Sequence, residues 1–231
     1  MTPAPLEPPS TGPVLLVVAK APVPGLAKTR LGRVVGPDAA ADVAAAALLD
    51  TLDAVQAARA VTGWPVVVAM TGEVASAARA DDVRAALERT IVVPQRGDDF
   101  GERLAHAHAD AGVHGRGTVQ IGMDTPQVAP DDLVTAGNAV VEGRQVLGPA
   151  DDGGWWLLGL PDPRRADALR DVPMSRDDTG ELTRAALGDV ELLRALCDVD
   201  EWPDAQSVAS GLPGSRFAGA VDRSTTAGAG A

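Results

Sequence analysis

The 231-residue sequence contains no tyrosine, only two phenylalanines and a single cysteine, Cys197. The missing tyrosine excludes chemistry on a phenol, and a lone cysteine excludes an internal disulfide or a cluster of thiolate metal ligands. Aromatic residues make up 3% of the chain, whereas 45% of it is hydrophobic. The sequence therefore predicts a globular protein whose core is packed by valine, leucine and alanine.

The sequence also lacks long apolar runs and an excess of basic residues. No stretch is long enough to span a bilayer, and the first residues have no basic region followed by an apolar one. We therefore expect a cytoplasmic protein without a membrane partner. Lysine and arginine number 20 against 32 aspartates and glutamates, a balance that disfavours nucleic-acid binding.

Strand-like and helix-like segments alternate between residues 13 and 213. Apolar runs such as VLLVVA, PVVVAM and TVQIGM are separated by segments of helical pattern. This alternation predicts a single α/β domain with a mostly parallel sheet and helices on both faces. The flanking segments 1–12 and 214–231 are rich in proline or in small polar residues, so we expect disordered tails there.

A basic loop follows the first strand-like run of this acidic chain. Between Glu7 and Asp38 there are four basic residues and no acidic one. Ligands of open α/β sheets bind at the carboxyl ends of the strands, and prolines and a glycine restrict this loop. We interpret it as a phosphate-binding loop rather than a solvated one. The predicted substrate contacts are Lys20, Pro22, Gly25, Lys28, Thr29 and Arg30.

Aspartates follow three later runs of the pattern. Asp124 follows TVQIGM, Asp152 follows QVLGPA, and Asp200 ends the segment DVD at 198–200. Carboxylates and phosphates repel each other unless a cation lies between them, so this combination predicts Mg²⁺ or Mn²⁺. We assign the metal to Asp124 and Asp200 and catalytic roles to Asp124 and Asp152. An ordinary turn or helix cap is the alternative for each aspartate.

Two glycine-containing loops complete the predicted substrate site. Gln95 could hydrogen-bond a base or sugar, and Arg103 could contact a phosphate or pair with a neighbouring acid. The remaining predicted contacts are Gly101, Gly153, Gly154 and Trp155. The first loop lacks two glycines of the Walker A pattern, and no G-x-G-x-x-G follows the first strand. A P-loop NTPase and a nicotinamide-binding Rossmann protein are therefore disfavoured.

Five motifs in order resemble a known family: KAPVPGLAKTRL at 20–31, GDDFGERL at 97–104, IGMDTP at 121–126, GPADDGGWWLLGL at 148–160 and DVD at 198–200. They look like the bacterial glycosyltransferase-A-like (GT-A) family that includes the selenosugar synthase of selenoneine biosynthesis. The resemblance implies a Rossmann-like nucleotide-diphospho-sugar transferase fold, a UDP-sugar donor and a divalent metal.

The resemblance also implies roles for individual residues. Asp124 corresponds to the metal carboxylate, the segment Asp152–Gly154 to the sugar side, and Lys20, Lys28 and Arg30 to the donor phosphates. The chain departs from the family at Trp155, where a tyrosine is common, and at 173–180, where PMSRDDTG replaces a Trp-Ser-Thr motif. The acceptor is expected near this second segment.

The expected function is therefore a metal-dependent glycosyltransferase with a nucleotide-sugar donor and a small-molecule acceptor. Selenophosphate is one candidate acceptor, and its product would be a selenosugar. Two alternatives remain open. A nucleotidyltransferase would let an acceptor phosphate attack the nucleotide α-phosphate and release pyrophosphate, and a non-catalytic nucleotide-binding protein would keep the pocket alone. The sequence gives no prediction of oligomeric state.

Overall fold

A computed structural model describes residues 11–228 and arranges them as one mixed sheet with helices on both sides. The strands are β1 (Val14–Lys20), β2 (Val66–Thr71), β3 (Ile91–Pro94), β4 (Thr118–Gly122), β5 (Val146–Pro149), β6 (Trp155–Leu160) and β7 (Glu191–Leu192). The α-helices are α1 (Thr29–Val35), α2 (Pro37–Thr62), α3 (Ala80–Leu87), α4 (Phe100–Ala111), α5 (Pro130–Val141), α6 (Thr179–Leu187), α7 (Trp202–Ser210) and α8 (Arg216–Gly228). Short 3₁₀ helices span Val74–Ser76 and Pro163–Asp171.

The strand order β3-β2-β1-β4-β6-β5-β7 confirms the predicted mostly parallel α/β sheet. Only β6 among the described strands runs against its neighbours, β4 and β5. The chain adds β2 and β3 on one side of β1 and then crosses to place β4 on the other side. Such a change of direction opens a crevice between the carboxyl ends of the two central strands.

The core lies on both faces of the sheet and is mainly aliphatic. In β1, Leu15 and Val17 pack on the face covered by α2, α3 and α5. Their neighbours Leu16 and Val18 pack on the opposite face, against α4, α6 and the 3₁₀ helix Pro163–Asp171. Successive residues of a strand point to opposite faces, so a strand buried on both faces needs an apolar residue at every position.

One predicted helix is divided in the structure. The sequence pattern predicts a helix from about residue 74 to 88, whereas the structure has the 3₁₀ helix Val74–Ser76 and then α3. Arg79 separates them because its backbone is left-handed, with a φ of 51°. Its guanidinium Nε lies 2.6 Å from Asp42 Oδ1, which is a tertiary contact with α2 that local pattern does not reveal.

The carboxyl-terminal tail prediction is wrong for residues 216–228, which form α8. Phe217 is fully buried against α2, and its backbone N–H donates to Asp50 Oδ2 at 2.8 Å. Phe217 and Val221 lie one turn apart, so two apolar anchors suffice to dock a segment rich in small polar residues. Residues 229–231 and most of the predicted tail 1–12 lie outside the described residues. Within that tail, Gly12 O accepts a hydrogen bond from Arg116 N.

None of the described helices has both the length and the hydropathy needed to span a bilayer. The longest described helix, α2, has 26 residues, yet it contains five charged side chains, from Asp38 in its first turn to Arg59 in its last. Its many alanines allow close packing on two sides, against the sheet and against α8.

Candidate functional site

The candidate site lies at the crevice between β1 and β4. Val18 pairs with Gly122 in the parallel register, and Lys20 and Asp124 each follow two residues later at the same edge of the sheet. Pro149, at the end of β5, and Trp155, at the start of β6, reach the same edge because these strands are antiparallel. The basic loop and the predicted acidic segments therefore meet at one edge of the sheet.

A cavity of about 1090 Å³ opens at this edge, a volume suited to a nucleotide-sized ligand. It brings together most of the residues that the sequence predicts for the site. The predicted residues that line it are Lys20, Lys28, Thr29, Arg30, Gln95, Arg103, Asp124, Asp152, Gly154, Trp155 and Asp200.

Lys28 and Asp124 form the central ion pair of the cavity. Lys28 Nζ lies 2.8 Å from Asp124 Oδ2 and 4.0 Å from Asp200 Oδ1, and it also donates to Val199 O. The lysine side chain is only 9% exposed. Burial lowers the pKa of Lys28, but attraction from Asp124 and from Asp198 outweighs burial and raises it above its ordinary value. Lys28 is therefore a permanent positive charge inside the cavity.

The segment 198–200 faces the cavity with both of its aspartates. Val199 between them is buried in the cluster formed by α1, α2, α7 and α8, because alternate residues of an extended segment point to opposite sides. Asp200 pairs with Arg30 through Oδ2. Burial raises the pKa of Asp198 to about 7; attraction from Lys28 opposes this rise, and repulsion from Asp124, Asp152 and Asp200 adds to it. Asp198 is thus close to three other carboxylates as well as to the Lys28 ammonium.

The loop 151–154 is fixed by a close backbone contact. Gly153 has a φ of 88°, and a Cβ there would lie 1.8 Å from Asp177 O. Gly180 N donates to Gly153 O at 2.8 Å, and Gly154 N donates to Asp152 Oδ1 at 2.9 Å. The predicted acceptor segment 173–180 is therefore docked directly on the loop that carries Asp152.

Gln95 is oriented by backbone carbonyl groups. Its Nε2 donates to Ala19 O at 2.8 Å and to Ala69 O at 2.9 Å, so both amide hydrogens are used by the protein. The acceptor Oε1 is left for a ligand that enters the cavity. Arg103 also lines the cavity, and its Nε donates to Gly97 O at 3.0 Å. Its contact with a phosphate stays a prediction.

Four predicted contacts lie outside the lining of this cavity. Pro22 is buried and its carbonyl accepts from Ala78 N, whereas Gly25, with a φ of 76°, shapes the exposed tip of the loop. Gly101 packs α4 against Leu169 O, which a Cβ would approach to 2.3 Å. Gly153 supports the acceptor segment as described above. The contacts described for these four residues concern backbone geometry, and a ligand contact at each of them stays a prediction.

Several lining residues are not predicted from the sequence. Leu26 and Phe100 are 60% and 48% exposed, and they place large apolar side chains on the cavity. Met174 adds a third apolar side chain from the segment 173–180. Phe100 could have been predicted, because it is an aromatic residue at the start of a helix in a chain with few aromatics. Gln120 gives no such signal because it lies inside an apolar strand.

Gln120 connects the cavity to a buried histidine. His108 Nε2 lies 2.9 Å from Gln120 Oε1, and His108 Nδ1 lies 2.6 Å from Thr118 Oγ1. The amide oxygen requires a proton on Nε2, so Nδ1 accepts from the threonine hydroxyl. Burial lowers the pKa of His108 to about 4, although the hydrogen bond to Gln120 opposes this effect. A neutral imidazole thus positions Gln120 from beneath the cavity.

This buried histidine predicts a dependence of stability on pH. The pKa of His108 is about 4 in the folded state and 6.5 as its ordinary value, so the unfolded state binds more protons between these values. Stability contributed by the neutral imidazole is complete above pH 6.5 and is lost as the pH falls towards 4. We expect a loss of about 2 to 3 kcal/mol across this interval. Urea unfolding of wild type and His108→Gln at pH 7 and pH 4.5 measures it. Equal pH dependence of the two proteins would refute the assignment.

The carboxylates at the crevice fit a divalent cation that also binds substrate. Asp124 Oδ1 is buried and has no hydrogen-bond partner among the described residues. Within residues 11–228, no group of three or more His, Cys, Asp or Glu side chains could hold a metal ion by itself. Mg²⁺ commonly binds through one or two carboxylates together with water and substrate phosphates. Asp124 and Asp200 meet that requirement.

Comparison with known protein families identifies the family of this chain. A family model described as "Uncharacterized protein conserved in bacteria (DUF2064)" matches residues 51–176, which is more than half of the chain. The chain belongs to the DUF2064 family. No curated protein matches the chain. The matched region of DUF2064 contains Gln95, Asp124 and Asp152 but ends before the segment 198–200.

Solved structures share the fold. A protein from Desulfovibrio desulfuricans G20, described as a "putative nucleotide-diphospho-sugar transferase", superposes with a TM-score of 0.77, at 26% identity over 93% of this chain and 95% of that one. Rv0371c from Mycobacterium tuberculosis H37Rv, in complex with manganese, gives 0.50 at 23% identity over 85% and 97%. The 4-diphosphocytidyl-2C-methyl-D-erythritol synthase of Anaerococcus prevotii DSM 20548 gives 0.54 at 9% identity over 84% and 95%. This DUF2064 protein thus has the nucleotide-diphospho-sugar transferase-like fold predicted from its motifs.

Proposed function

We propose that this DUF2064 protein is a glycosyltransferase that uses a nucleotide-diphosphate sugar, with UDP-sugars as the first donors to test. The observation that carries the proposal is the meeting of the basic loop and the Asp124–Asp200 carboxylates in one cavity at the β1–β4 crevice. The Desulfovibrio protein, described as above, supports a nucleotide-sugar donor through its similarity over nearly the whole chain.

The charges of the cavity suit a leaving diphosphate. Lys20 ends β1, Lys28 ends the loop that follows, and Arg30 lies in the first turn of α1. We assign all three to the donor phosphates. Fixed positive charges in a partly enclosed cavity stabilise the negative charge that develops as the bond to the anomeric carbon breaks. Asp124 and Asp200 would hold Mg²⁺ or Mn²⁺, and a bound divalent cation supplies further charge stabilisation to the diphosphate. Manganese in Rv0371c makes Mn²⁺ the first ion to test.

We assign the acceptor to the part of the cavity that Asp152, Trp155 and the docked segment 173–180 line. That segment contributes Met174 and Asp177 to the lining. We assign Asp152 as the sugar contact or general base of the transfer. The resemblance of the motifs to the selenosugar synthase makes selenophosphate the first acceptor to test. Because carboxylates outnumber bases in the lining of the cavity, neutral hydroxyl compounds form the comparison set.

Thermal shift against a panel of nucleotides and nucleotide sugars tests the donor. We expect the largest rise in melting temperature from one nucleoside-diphosphate sugar with Mn²⁺, and a smaller rise from the same compound with EDTA. Product analysis then separates the reactions: glycosyl transfer releases nucleoside diphosphate, whereas nucleotidyl transfer from a nucleoside triphosphate releases pyrophosphate. Binding without either product would indicate a non-catalytic nucleotide-binding protein. Absence of any nucleotide-dependent shift would refute the proposal.

A further inference from the structure

Two of the three bases assigned to the donor phosphates are already paired with carboxylates of the same cavity. Lys28 Nζ contacts Asp124 at 2.8 Å, and Arg30 Nη1 pairs with Asp200. These carboxylates are the ones assigned to the metal. While these ion pairs persist, Asp124 and Asp200 are not free to bind a cation, and Lys28 and Arg30 are not free to bind a diphosphate.

The position of Lys28 is built into the fold rather than reached by a flexible side chain. Its backbone is left-handed, with φ 46° and ψ 50°, and it immediately precedes the first residue of α1. Side chains other than glycine adopt this conformation rarely, and such strained residues concentrate at functional sites. The side chain is nearly buried and is also held by Val199 O, on the segment that carries Asp200. The loop and the acidic segment are therefore linked through Lys28.

We propose that Lys28 is a built-in competitor of the divalent cation, so that cation and nucleotide diphosphate bind to this protein cooperatively. The proposal rests on the proposed function. A cation that enters alone meets the Lys28 ammonium on Asp124, and a diphosphate that enters alone meets the carboxylates paired with its bases. When both enter, the partners are exchanged: the diphosphate takes Lys28 and Arg30, and the cation takes Asp124 and Asp200. Every charge is then paired again.

The coupling must be reciprocal. If the cation raises nucleotide affinity by some factor, the nucleotide raises cation affinity by the same factor. Couplings between sites commonly amount to about 5- to 150-fold. For the wild type we expect UDP and Mn²⁺ each to bind at least about tenfold more tightly in the presence of the other. Binding at equilibrium measures this without any catalytic turnover.

The decisive measurement is the affinity for Mn²⁺ in the absence of nucleotide. The electron paramagnetic resonance signal of free Mn²⁺ reports how much of the ion is unbound. In Lys28→Met the competing ammonium is gone, so we expect Mn²⁺ to bind about tenfold more tightly than in wild type. Lys20→Met is the matched control. It removes the same charge from the same cavity, but Lys20 Nζ donates to Leu26 O, and no carboxylate pairs with it among the described residues. We expect less than about threefold change in this control.

A second variant tests the exchange from the nucleotide side and does not depend on the folding of Lys28→Met. Asp200→Asn frees Arg30, and the Asp200 side chain is 40% exposed, so the variant should fold. We expect UDP without metal to bind it about five- to tenfold more tightly than it binds wild type, by calorimetry. Circular dichroism verifies the fold of each variant.

The outcomes separate this inference from the proposed function. The competition is refuted if Lys28→Met binds Mn²⁺ no more tightly than wild type and Lys20→Met bind it. It is also refuted if Asp200→Asn binds UDP no more tightly than wild type binds it. That result leaves a UDP–Mn²⁺ site intact if wild type still binds both. If wild type binds Mn²⁺ but neither UDP nor any other nucleotide, the proposed function fails, while the comparison of Mn²⁺ affinities still tests the role of Lys28.

Discussion

Asp124→Asn is expected to lower the rate of transfer by about 10² to 10³, the range found when one preorganised charge-stabilising group is removed from an active site. Asp124 is the residue where the crevice, the buried Lys28 ammonium and an unpartnered carboxylate oxygen coincide. The asparagine keeps the shape of the side chain but removes the charge that would hold the cation and neutralise Lys28. Release of nucleoside diphosphate from the donor that the panel identifies measures the effect.

The same substitution should also lower stability, but only moderately. Removing one partner of a fully buried ion pair costs about 3 to 5 kcal/mol, whereas Asp124 is 31% exposed and Lys28 keeps Val199 O and the nearby Asp200. We expect a loss of about 1 to 2 kcal/mol in urea unfolding. Asp81→Asn is the matched control because that side chain is 95% exposed and lies away from the cavity lining. Equal activity of Asp124→Asn and this control would rule out a central role for Asp124.

Gly153→Ala is expected to disrupt the acceptor end of the cavity. A Cβ at this position would lie 1.8 Å from Asp177 O, so either the loop 151–154 or the segment 173–180 must move. The clash and the left-handed backbone together should cost about 3 to 4 kcal/mol of stability. Displacement of catalytic groups by about 1 Å can cost about 100-fold in rate, so we expect activity to fall by about that factor. Donor binding at the basic loop should change much less.

Gly143→Ala isolates the clash from the backbone strain. Gly143 has a φ of 84°, close to that of Gly153, but a Cβ there would meet nothing within 4 Å. This control should lose about 1 kcal/mol, the cost of a left-handed non-glycine residue, and keep its activity. Urea unfolding and transfer rates of the two variants measure the difference. If both variants behave alike, contact with Asp177 does not hold the acceptor segment.

The elements that the sequence predicts correctly are those with strong local patterns. The apolar run of β1 and the helical stretch from Phe100 to Ala111 appear as expected, because burial on both faces of a sheet or along one face of a helix imposes a period on the sequence. The division of the helix near Arg79 and the docking of α8 through Phe217 were not predicted. Each depends on a contact with α2, which is distant in the chain.

The site residues also divide into those that local sequence pattern predicts and those whose role depends on contacts between distant parts of the chain. Gln95, Asp124 and Asp200 line the cavity as predicted, since each follows a strand or an extended segment that ends at the ligand edge of the sheet. Gly101 and Gly153 are predicted ligand contacts, and in the structure both allow close backbone packing. A glycine in a loop signals that something approaches closely, and the sequence alone cannot tell a ligand from another segment of the same chain.

The sequence by itself determined the class of fold, the basic loop and the strand ends at which the aspartates stand, because these depend on local period and on the order of residues along the chain. Only the tertiary structure decided which charges are paired. Lys28 reaches Asp124 across 96 positions of sequence and contacts Val199 across 171, and these distances close only when β4 is placed beside β1 and the segment 198–200 folds back over the crevice. Coulombic attraction depends on separation in space, and the strand order sets that separation.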